Sequence, residues 1–314
     1  MLKSVMLFSN QTLQTIISIL KDELSRSHSV TFRVLNPDIG DFYSGTKIEL
    51  DGTTYIYRGY KNWVDLAHFL GSKMATPKLI SSDIVEICYR RLSTDSFHNT
   101  RVEDIKEKYG VGSTFSLIDK SQESSFLFFY LQALKDANIE NRGSILNLGV
   151  NRADEFVVIK EMLKDGFEDK QLVGIDHSTS AIKQAKERFE GSRGVEFFTH
   201  DINELDSLGL GRFDMLISIG TLQSTTINFK PFFMSLVQNY LSSDSAVVLG
   251  FPNSRWVGGE LLYGAKVPNY STSELGLLFS DVMFCKKYLQ QKRYRVKIIG
   301  KDYIFLIATK IGVK

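Results

Sequence analysis

The chain has 314 residues, 43% of them hydrophobic and 24% charged, with a net charge of +2 and two cysteines, Cys88 and Cys285. That length admits two modest domains, and the near balance of charge gives no support for an obligate polyanionic partner such as nucleic acid. Two distant cysteines without a CxxC pair exclude a disulfide framework and a cysteine-based zinc site, so no metal is expected. The first eight residues lack the apolar region and cleavage site of a signal peptide, and no apolar run is long enough to span a bilayer. The reading is a cytoplasmic protein with reduced thiols and no membrane partner; composition says nothing about oligomeric state.

In chain order, Leu13, Ile16, Ile17 and Leu20 recur at helical spacing within residues 11–25. Val30, Phe32 and Val34 alternate with Thr31 and Arg33, which predicts a strand over 29–35. Asp51-Gly52 between Lys47–Leu50 and Thr53–Tyr57 predicts a hairpin, because this dipeptide accepts the positive φ angles of a two-residue turn. A helix follows at Trp63–Leu70 and a strand at 83–89. Residues 91–125 are polar and aperiodic, so the domain boundary is placed there: a small α+β domain over 1–115 and a second domain over 116–314.

The second domain opens with a helix over 125–137. It then alternates: strand 145–148, helix 153–164, strand 172–176, helix 179–189, strand 195–199, strand 213–218, helix 231–241, strand 246–250. Residues 294–299 and 303–309 close the chain as a hairpin. The expectation is an α/β doubly wound sheet of seven strands, Rossmann-like and mostly parallel, with one antiparallel strand supplied by that hairpin.

Four strand ends carry chemistry. Asn147-Leu148-Gly149-Val150-Asn151-Arg152-Ala153 is a strand running into a tight turn and a helix, where Gly149 lets a ligand approach the backbone and Asn151 tolerates a left-handed conformation. Asp176, followed by His177, ends the next strand; its carboxylate can accept from ribose hydroxyls, with Ser178 left to cap the helix. Asp201-Ile202 ends another strand, with an acid for an adenine amino group and an apolar side chain for a purine face. Ser218-Ile219-Gly220, leading to Gln223, opens a further strand onto the same crevice. A dinucleotide is a poor fit, because one glycine of G-x-G-x-x-G survives and Asp154-Glu155 at the helix start would repel a pyrophosphate.

These segments, in this order and over roughly residues 122–312, resemble the nucleotide-binding motifs of the class I S-adenosylmethionine (SAM)-dependent methyltransferases. The family's acid-x-Gly-x-Gly-x-Gly reads here Asn147-x-Gly149-x-Asn151-x-Ala153, a departure at three of its four named positions. The resemblance implies SAM as cofactor, Asp176 as the ribose-binding acid, Asp201 and Ile202 at the adenine, and Ser218 and Gly220 along the methionine part. His177 is expected beside the adenosine. Local acids suit SAM, a cation without phosphate.

Methyl transfer demands alignment and exclusion of water more than dedicated machinery, so no catalytic residue is assigned; His177, His200 and Gln223 are the titratable or polar groups near the crevice. The segment 251–270, with Arg255, Trp256, Tyr263 and Lys266 and a Gly258-Gly259 hinge, leaves a strand at its carboxyl end. Together with Gln223 it is expected to contact the substrate and to close as a lid. The favoured function is methylation of a small molecule. Methylation of RNA or protein, and SAM binding without catalysis, are the alternatives. Removal of Asp176 is expected to cost cofactor affinity and to leave the fold intact.

Overall fold

The computed structural model describes residues 5–93, 110, 113–224, 226–265 and 274–312. The chain divides into two units: Met1–Ser96 with Trp256–Leu262, and Phe97–Arg255 with Tyr263–Lys314. Among the described residues no helix is long and apolar enough to cross a membrane.

The N-terminal unit contains β1 (Met6–Phe8), α1 (Leu13–Arg26), β2 (Ser29–Leu35), β3 (Lys47–Leu50), β4 (Thr53–Ile56), α2 (Tyr60–Phe69), β5 (Ser72–Met74), β6 (Lys78–Leu79) and β7 (Ile84–Arg91). Thr12 caps α1 by accepting from the Thr15 amide, and Ile16, Leu20 and Leu24 form its buried stripe. Strand alternation sends Val30, Phe32 and Val34 of β2 to the same side, opposite Tyr89, Ile87 and Val85 of β7. Phe32 packs edge-on against Tyr89 and tilted against Trp63, and the Tyr89 hydroxyl donates to the Trp63 carbonyl at 2.6 Å. Each such side chain removed from water contributes about 1.5–3 kcal/mol. Asp51 and Gly52 take φ of 49° and 73°, which closes the β3–β4 hairpin. β1, parallel to β2, and the short β5 and β6, both paired to β7, are too brief to show a period in the sequence.

The C-terminal unit is built on α3 (Ser124–Asp136), β8 (Ser144–Leu148), α4 (Asp154–Leu163), β9 (Gln171–Asp176), α5 (Thr179–Arg188), β10 (Val195–Thr199), β11 (Phe213–Ile219), α6 (Phe229–Asn239), β12 (Leu241–Pro252), α7 (Gly276–Gln291), β15 (Tyr294–Gly300) and β16 (Tyr303–Lys310); β13 (Ser254–Val257) and β14 (Glu260–Tyr263), a two-stranded sheet, fall where the chain is divided, with Trp256–Leu262 in the first unit. Its seven-stranded sheet has the order β10-β9-β8-β11-β12-β16-β15. The first five strands are parallel, and β16 runs antiparallel to both β12 and β15. The expected doubly wound sheet with its terminal hairpin is therefore present.

α3, α4 and α5 cover one face around Tyr130, Phe156 and Phe305. α6 and α7 cover the other around Phe233, Leu289 and Leu306. α7 buries Leu278, Val282, Cys285, Tyr288 and Leu289. Strand order reverses between β8 and β11, and it is at such a switch point that the carboxyl ends of the strands leave a crevice.

Candidate active site

The turn after β8 carries three left-handed residues in five: Gly149 at φ 75°, Asn151 at 46° and Ala153 at 62°. For glycine this conformation is free; for alanine it costs roughly 1–2 kcal/mol. The backbone thus keeps one conformation at positions 149, 151 and 153 although two of the three are not glycine. It is held by its neighbours. The Gly149 and Val150 amides donate to the Ile175 carbonyl at 2.8 and 3.1 Å, and the Ala153 amide donates to the Val150 carbonyl at 2.8 Å. A Cβ on Gly149 would collide with the Thr221 side chain.

Asp176, 7% exposed at the end of β9, is not free, contrary to the sequence expectation. Its Oδ2 accepts from the Asn151 amide at 3.0 Å and its Oδ1 from the Ser178 amide at 2.9 Å, so it ties β9 to the turn. Ser178 caps α5 by accepting from the Ala181 amide at 3.2 Å. A carboxylate has about four acceptor positions, so lone pairs remain on Asp176 for hydroxyl donors. His177 is half-exposed, its Nδ1 3.9 Å from Asp176 Oδ1.

Arg152 straps the turn from outside. It donates to the Ser116 and Ile118 carbonyls at 2.6 and 3.1 Å, and it meets Asp154, which also receives Arg188 at 2.6 Å.

At the neighbouring strand ends, Asp201 caps the turn Ile202–Leu208 through the Asn203 amide, with Ile202 buried beside it. Ser218 spends its hydroxyl on the Leu148 carbonyl at 3.0 Å, and Gly220 has φ 73°. His200 bonds to Ser207 and the Glu204 carbonyl, and Gln223 is tethered to Asp281 of α7 at 3.1 Å. Of the remaining substrate candidates, Arg255 holds the Gly264 carbonyl at 2.9 Å and Tyr263 is exposed. Trp256 groups with the N-terminal unit, and Lys266 lies outside the described residues. Within the expected loop, Phe251 and Pro252 still belong to β12, and Ser254–Val257 pairs with Glu260–Tyr263 as the two-stranded β13–β14. Among the described residues no group of three or more His, Cys, Asp or Glu side chains is placed to hold a metal ion.

Residues 143–295 match the family model of a methyltransferase domain. This stretch of the chain is a methyltransferase domain. No curated protein matches the chain. Among solved structures, the methyltransferase is similar to the plantazolicin methyltransferase BpumL, crystallised with a desmethylPZN analog and SAH (13% identity, 61% of this chain and 87% of that one, TM-score 0.43). It is also similar to the N-methyltransferase NodS from Bradyrhizobium japonicum WM9, in complex with SAH (14%, 62% and 94%, TM-score 0.42). A third is the DszA carbon methyltransferase (16%, 67% and 58%, TM-score 0.44).

The residues around the turn fit SAM. Asp154, Glu155 and Asp176 bring acids to the turn, answered in part by Arg152, Arg188 and Lys120, and Gly149 has no Cβ where the Thr221 side chain packs. Two residues of this charge cluster escaped the sequence reading of the site. Glu155, in the first turn of α4, entered only as a repeller of pyrophosphate. Lys120, in the Lys120–Gln122 turn before α3, fell in a stretch read as linker.

Burial pushes the Glu155 carboxyl up to about 7, with Asp154 adding to the rise; Lys120, the residue's own backbone amide and Asn147 restrain it. Burial would lower the Lys120 ammonium, but Tyr303, Glu155, Asp154 and Asp176 together raise it. Its Nζ lies 5.7 Å from the centre of the Tyr303 ring. No sequence signal marks this cluster, because its members come from four different elements and meet only in the fold.

Proposed function

We propose that this methyltransferase acts on a small-molecule acceptor and holds SAM with the residues named from the strand ends. The carrying observation is the left-handed 149–153 turn closed on Asp176 at the switch point of the sheet. The backbone around Asn147, Gly149 and Asn151 borders the methionine part, with Ser218 and Gly220 alongside it. Asp176 uses its remaining lone pairs on the ribose hydroxyls. His177 lies beside the adenosine, Asp201 accepts from the adenine amino group, and Ile202 covers the purine. Bound there, SAM supplies an activated methyl group.

The chain's own work is to orient the acceptor and exclude water. We assign that work to Gln223, Arg255, Trp256, Tyr263 and Lys266. A groove of about 580 Å³ in the N-terminal unit, lined by Lys73, Lys78, Glu86, Cys88, Arg90 and Glu260, has the volume of a small-molecule site. The net charge of +2 supplies no field for a nucleic acid. Two free thiols, Cys88 and Cys285, support a cytoplasmic location.

Incubating the protein with methyl-labelled SAM and a cell extract, then separating small molecules from macromolecules, tests the acceptor class. Label among the small molecules is expected; label confined to RNA or protein would overturn the reading.

A further inference from the structure

Beneath the turn lies a set of buried polar groups for which binding of the adenosine gives no use. Glu155 is 6% exposed, Asn147 1% and Tyr130 0%. The Tyr130 hydroxyl has no hydrogen-bond partner, and neither amide atom of Asn147 has one of ordinary geometry. Both residues lie close enough to Glu155 to interact with its charge. Asp154 is answered by Arg152 and Arg188, and Asp176 by the backbone amides of Asn151 and Ser178. The cation acting on Glu155 is Lys120, which is in turn influenced by Tyr303 of β16, Asp154 and Asp176.

Cofactor and product of a SAM enzyme differ by one unit of charge: the sulfonium is a cation, and S-adenosylhomocysteine (SAH) carries a neutral thioether. A fixed set of charges balances one of them and not the other. We propose that Glu155 is the adjustable charge of this site, giving up a proton to solvent when SAM loads and taking one back when SAH is left. Glu155 touches no reacting atom; it acts through its field and through Lys120, as a positioning residue. Its carboxyl titrates near 7, so either form is within reach at neutral pH. The inference rests on the reading of the 149–153 turn and Asp176 as the SAM site.

Calorimetry of the full chain with SAM and with SAH, in buffers of different ionisation heat, reads the protons exchanged on binding. Near neutral pH, SAM is expected to release more protons than SAH. The ratio of the SAH Kd to the SAM Kd is expected to rise on the order of tenfold between about pH 6 and pH 8. The sulfonium lowers the amine pKa of SAM below that of SAH, so both free ligands are titrated and their own share is subtracted before the two are compared. Glu155→Gln should make the ratio independent of pH, and Lys120→Met should move its rise to higher pH. Equal proton release by the two ligands with a constant ratio in the wild type overturns the proposal without any variant. So does an unchanged profile in Glu155→Gln. If the wild type binds neither ligand, the SAM-site reading itself falls, and the inference with it.

Discussion

Arg33–Glu86 and Lys73–Glu260, at 3.3 and 3.6 Å on the open face of the N-terminal sheet, are charge pairs that water reaches. Glu155 of the C-terminal unit is buried at 6% exposure, with Lys120 close enough to act on its charge. Water screens the first two pairs, so each carries a fixed charge and contributes little. The buried Glu155 carboxyl is screened far less, so its charge depends on what else is near. The same residue types therefore make a solvated surface in one unit and a responsive one in the other, and the difference is burial rather than composition.

The largest expected effects lie in the enclosed region. Glu155 holds its proton in the folded chain up to about pH 7, whereas the unfolded chain releases it in the ordinary carboxylate range. Below that range both states hold the proton and the full contribution is present. As pH rises the unfolded chain ionises first, so wild-type stability should fall until pH passes about 7 and then level. The loss relative to Glu155→Gln should be about 3 kcal/mol, read from urea midpoints across the range. A parallel pair of profiles would remove the contrast between the regions.

Gly149→Ala should cost a similar amount, about 3 kcal/mol, because a Cβ meets the Thr221 side chain and the φ of 75° disfavours it. Asp176→Ala comes next. It removes the acceptor for two backbone amides, so it should lower stability by about 1.5–3 kcal/mol in thermal unfolding as well as weaken SAH binding. A loss of affinity with the fold unaffected would show that those two hydrogen bonds carry no stability. Lys73→Met, in the exposed pair, is expected to change stability by at most about 0.5 kcal/mol in the same measurement.

The strands of the sheet were legible because Ile145–Leu148, Phe213–Ile219 and Ala246–Gly250 are short apolar runs bounded by turn residues. The hairpin Tyr294–Lys310 announced itself by its Gly300-Lys301-Asp302 turn. α7 was not assigned as an element: its buried residues are spaced for a helix, but Leu277, Phe279 and Met283 are apolar and exposed, which blurs the period. At the site, strand ends pointed to Asp176 because an acid there stands out from its apolar strand. That its oxygens would be engaged by the Asn151 and Ser178 amides depends on how the turn folds back, which residue types do not encode. Ala153 carries the opposite lesson: nothing in an alanine suggests a left-handed residue, and its φ of 62° goes with the bond of its amide to the Val150 carbonyl in a turn that Ile175, Asp176 and Arg188 hold at positions 149–152.

The Trp256–Leu262 segment groups with Met1–Ser96: Lys73 reaches Glu260, and the Gly258 backbone lies against Leu92 and Ser93. During synthesis the first unit therefore leaves the ribosome without its last piece and must wait while the chain up to residue 262 is made. For that interval the face bearing Lys73 and Arg90 lacks the partner that Glu260 brings, so the first unit is completed only after residue 262 has been made.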